Sequence, residues 1–67
     1  MSDKQIEDRR RRLSERYSRL RELDPDAYRR AVYIGSVVTI ETGNLALGAK
    51  VEAMAVSLAL DLIEAHP

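Results

Sequence analysis

Seven arginines stand between Arg9 and Arg21 with one acid among them, Glu15, for a local charge of +6. On a helix, such a run forms a basic ridge suited to carboxylates or phosphates. Tyr17 lies inside the run as a possible stacking surface. A plainer arrangement competes with this one. Glu7, Arg11, Glu15 and Arg19 follow one another at four-residue steps with alternating sign, Glu22 extends the line by three, and Asp8–Arg12 repeats the step. Ladders of this kind support an exposed helix by about 0.2–0.5 kcal/mol per pair. They leave Arg9, Arg10, Arg16 and Arg21 without an acid at that spacing. Those four, with Tyr17, are the candidate binding residues for a protein or nucleic-acid partner.

Other chemistry is thin. Cysteine is absent and His66 is the one histidine, so neither a disulfide nor a zinc constellation is expected. Gly35, Gly43 and Gly48 compose no phosphate-binding fingerprint. No serine has a basic partner at a spacing that marks a nucleophile, and no enzyme, cofactor or small-molecule substrate is expected. Glu52 is the exception that invites thought. It sits among apolar neighbours, where an unpaired carboxylate is costly. Pairing with an arginine of the first helix, or with Arg29 or Arg30, is the expected remedy. Glu41 poses the same question. His66 is expected to meet the carbonyls at the end of the last helix.

The elements that must carry these residues are marked by their ends. Ser2 and Gln5 have the spacing of a capping box. Ile6, Leu13, Tyr17, Leu20 and Leu23 then give a narrow apolar stripe at helical period. Pro25 disfavours helix at Asp24, and Asp24 can cap the helix that Pro25 opens. Leu23 and Tyr28 occupy the two positions of a hydrophobic staple, while Tyr33 is expected to pack with its hydroxyl at a rim. Gly43 can close the second helix in a left-handed conformation, and Asn44 can cap the third. Val32–Ile40 is rich in β-branched residues, and Gly43-Asn44 could serve a hairpin, so a strand competes there. Apolar and polar residues do not alternate across this stretch, and helix is preferred. The expected chain is all-α, with three helices at about 3–23, 25–42 and 45–65.

The two ends differ in character. Residues 1–23 hold eight basic and five acidic side chains, net +3, while residues 24–67 hold three and six, net −3. Six of the first 26 residues are apolar, against 24 of the 39 from Ala27 to Ala65. A single domain is expected, made of a charged helix over 1–23 and an apolar helical hairpin over 24–67. The third helix bears two apolar seams. One contains Val51, Ala55, Leu58, Leu62 and Ala65; the other contains Ala46, Ala49, Ala53, Val56, Leu60 and Ile63. Two seams need two neighbours. A 67-residue core seldom supplies more than about 3–5 kcal/mol on its own. The second seam is therefore expected to meet another copy of the chain, in a homodimer or higher helical bundle.

The longest uncharged run, residues 31–40, is well short of the ~20 needed to span a bilayer, and the charged start lacks the apolar stretch of a secretory signal. A basic amphipathic helix on a membrane surface would carry a wider apolar face. A soluble, cytoplasmic protein with no membrane contact is expected. The function that fits is a non-enzymatic interaction protein, an adaptor, inhibitor or regulatory subunit, offering its arginine-rich helix to an acidic partner. Nucleic-acid binding through the same residues is the alternative.

Overall fold

The computed structural model describes residues 2–66, and they form three α-helices: α1 (Asp3–Leu23), α2 (Pro25–Thr42) and α3 (Leu45–Ala65). Between Asp3 and Ala65 only Asp24, Gly43 and Asn44 are non-helical. Each boundary has a local cause. The Ser2 hydroxyl accepts from the Gln5 backbone N–H, and the Gln5 side chain accepts from the Ser2 N–H, completing the capping box. Asp24 ends α1 by donating its N–H to the Leu20 carbonyl, and its carboxylate accepts from the Ala27 N–H to start α2. Gly43 turns the chain at φ 68°, left-handed geometry that a side chain would strain, and the Asn44 side chain then caps α3. The β-branched stretch Val32–Ile40 is helical throughout.

α2 and α3 pack as an antiparallel hairpin whose closest approach is backbone to backbone at Gly35 and Gly48. A Cβ built on Gly35 would lie 2.7 Å from the Glu52 Cβ and 2.9 Å from the Gly48 carbonyl. One built on Gly48 would lie 2.7 Å from the Gly35 carbonyl and collide with the Thr39 hydroxyl. Thr39 turns that hydroxyl back to the Gly35 carbonyl at 3.0 Å, so it adds no unpaired polar group at the crossing.

α1 lies across this hairpin. Tyr17 reaches Glu52 on α3, and Arg19, two residues on, pairs with Glu64 at 3.3 Å. Those two α3 positions are roughly 18 Å apart along the helix, against about 3 Å on α1. The two helices therefore cross steeply, and the molecule is a plate of 34 × 33 × 16 Å. Where they cross, Leu20 and Val56 are fully buried, joined by Leu60, Ala27 and Ala31. Tyr17, Tyr28 and Ile63 pack around this small core. Among the described residues no polar or charged side chain is buried, and no helix is long and apolar enough to cross a membrane.

The core corrects the seam assignment. Val56 and Leu60 sit at the centre of the chain's own interior and Ile63 packs beside them, because the Leu20 edge of α1 covers that stretch. Val56 and Leu60 offer no surface to another copy, and Ile63 is half-buried. Ala46 and Ala49, beyond the reach of α1, are exposed, and Ala53 is half-buried. The other seam is open at Leu58, 61% exposed, and at Leu62, 55% exposed, while Val51 and Ala55 are half-buried.

Candidate interaction surfaces

α1 divides into two halves. Residues 2–16 are exposed apart from a half-buried Asp8, since the hairpin lies under the C-terminal half alone. Arg9 and Arg10 stand on the open half. Neither has a carboxylate within 4.0 Å among the described residues, and the same holds for Arg12. Arg9 and Arg12 border one shallow surface depression with Gln5 and Asp8.

The other three candidates are drawn into the fold. Arg16 donates to the Ser57 hydroxyl of α3 at 3.0 Å. Arg21 holds its guanidinium 5.9 Å from the centre of the Tyr28 ring, a cation–π contact. Tyr17 is half-buried and meets Tyr28 edge to face, with centroids 6.3 Å apart. Its phenol pKa is pushed up to about 12, first by burial, then by the Glu52 carboxylate beside it, which favours the protonated phenol, and last by Tyr28. The ring also lines an open surface groove with Arg10, Leu13 and Arg21. The arrangement is an intramolecular clasp between α1, the start of α2 and the middle of α3.

Several expected pairings resolve differently. Asp8 pairs with Arg11, three residues on, at 3.0 Å rather than with Arg12. Arg19 reaches across to Glu64 instead of joining the Glu15 ladder. Both choices are open to long side chains on an exposed helix, and neither is worth much energetically. Glu52 takes no arginine, since Arg16 and Arg21 are turned to Ser57 and Tyr28; its neighbour is the Tyr17 phenol. Glu41 is exposed and raises no burial problem. Tyr28 meets Tyr17 and Arg21, and Leu23 is half exposed. Tyr33 faces outward rather than packing at a rim. His66 places Nδ1 3.1 Å from the Leu62 carbonyl, as its position at the end of α3 implies.

Apolar surface is the other candidate. Ile40 and Leu45 flank the hairpin tip, both largely exposed. Ile34 on α2 and Leu58 and Leu62 on α3 border a groove floored by alanines, including Ala27, Ala31 and Ala55. No group of three or more potential metal ligands occurs among the described residues. Compared with known proteins, the chain matches no family model, no curated protein and no solved structure.

Proposed function

We propose that the protein is a non-enzymatic, self-associating interaction module that presents an arginine-rich helix to an acidic partner protein. The observation that carries the first part is surface area. The chain exposes 5338 Å², whereas a compact monomer of 7.6 kDa exposes about 4,300 Å². The excess, about 1,000 Å², is the size that one partner contributes to an ordinary interface, and large apolar side chains of α2 and α3 stand exposed. The second part draws on Arg9, Arg10 and Arg12, which have no carboxylate within 4.0 Å among the described residues. Arg16, Tyr17 and Arg21 also make contacts within the chain, yet Tyr17 and Arg21 line an open groove with Arg10 and stay in the partner-facing set.

Light scattering on the full chain tests self-association: a mass of at least twice 7.6 kDa supports it, and a single-chain mass at high micromolar concentration overturns it. Phosphate contact through the same guanidinium groups is the second reading, favoured by their open setting and by the groove that Arg10, Tyr17 and Arg21 share. Retention on duplex DNA that falls with added salt, by about −0.9 in log K per phosphate for each decade, would select it. No retention at low salt removes it.

A further inference from the structure

The geometry points to the outer face of α3 as the surface on which a second copy of this chain docks, antiparallel, α3 against α3. This rests on the self-association proposed above and goes on to name the face, the order and the charges. Leu47, Val51, Met54 and Leu58 follow steps of four, three and four, and Leu62 adds a further four. That spacing keeps them on one stripe of the helix, the pattern of a helix–helix seam. Four of the five are exposed, Met54 most at 64% with Leu58 and Leu62 nearly as open, and Val51 is half-buried. The groove on the α2 side, edged by Ile34, and the one on the α1 side, edged by Leu13 and Arg16, both run along it. A ridge between two grooves suits a copy of itself, because each ridge can enter a groove of the other.

Charge fixes the direction. Lys50 lies near the start of the stripe and Asp61 near its end, on the same flank, and neither has an ion-pair partner among the described residues. In an antiparallel pair related by a twofold axis, like flanks face each other and opposite ends meet. Lys50 of each copy then stands over Asp61 of the other, twice by symmetry. The same order sets Met54 against Leu58 of the second copy. A parallel pair would instead bring Lys50 to the opposite flank, where Gly48 and Ala55 offer it nothing.

Three sets of full-length variants test this by light scattering and sedimentation. Leu58→Lys/Leu62→Lys is expected to raise the dimer Kd at least a hundredfold, while Ile40→Lys/Leu45→Lys at the hairpin tip leaves it unchanged. Lys50→Asp and Asp61→Lys lie on the surface and do not threaten the fold. Each alone is expected to weaken pairing several-fold, and the two together to restore it. A parent chain that stays single defeats the proposed self-association itself. A parent that pairs, but is separated by the tip variant and not by the α3 variant, overturns this interface alone. A charge exchange that fails to restore pairing overturns the antiparallel order.

Discussion

Val56 and Leu58 stand two residues apart on the same helix, similar in polarity, and their surroundings are opposite. Val56 is fully enclosed beneath α1, while Leu58 lies mostly in water. The same division runs the length of α3. The inner seam is sealed only where α1 crosses, near Val56 and Leu60, and open at Ala46 and Ala49; the outer seam is half-buried at Val51 and Ala55 and open at Leu58 and Leu62. A steep crossing of one narrow helix over two explains this. Helix α1 brings a single apolar edge, wide enough for one stretch of one seam. The hydrophobic effect rewards burial without regard to which seam supplies it. What decides is where the fixed turn at Asp24-Pro25 delivers Leu20.

Substitutions can break the contrast between the two seams. Leu20→Ala should have the largest effect, a loss of about 2–5 kcal/mol from an enclosed leucine. That approaches the whole stability of a chain this size, so circular dichroism should show helix content collapsing. Leu58→Ala, by contrast, should leave the intrachain fold intact at high dilution. Next comes Gly48→Ala, where a methyl group would drive the α2 backbone away from α3. Overpacking of that kind costs about 1–3 kcal/mol, read from the urea midpoint. Asp24→Ala removes the cap that aims α1 across the hairpin and should cost about 1 kcal/mol by the same measurement.

Tyr17→Phe sharpens the contrast at the edge of the clasp and shows only in alkali. The folded pKa of about 12 lies above the unfolded value near 10, so the unfolded chain loses its proton first. Stability from this group is complete below pH ~10 and drains away as pH rises toward ~12. The phenylalanine variant should lack that decline in a pH-resolved denaturation series. Asp8→Asn, which breaks an exposed pair with Arg11, should change stability by no more than about 0.5 kcal/mol. A larger loss would mean that the open half of α1 is held by something beyond its own helix.

The helix ends were legible from local chemistry because capping is local. Ser2 with Gln5, Asp24 with Pro25, and Gly43 with Asn44 each satisfy backbone groups within four residues, and all three boundaries fall where those residues put them. The choice between seams was not legible, since both have the same period and similar composition. It depends on a crossing angle that periodicity does not encode. The Gly35–Gly48 approach did leave a signal. Glycine inside a helix is about 1 kcal/mol worse than alanine, so two in facing helices mark a place where Cβ atoms cannot fit. The arginine pairings were underdetermined for another reason. Long cationic side chains on an open helix can satisfy spacing rules in several ways at nearly equal energy, and Arg19 took a partner on a different helix.

The thinness of the molecule has a further consequence. At 16 Å through, the plate is two helices deep, and a side chain that leaves the interior has only one layer to cross before it meets solvent. Slow hydrogen exchange should therefore gather in a small spot around Leu20 and Val56 and fade within a few turns in every direction. Such a body can breathe at its margins without melting at its centre, and whatever clamps its broad side would quiet the whole of it at once.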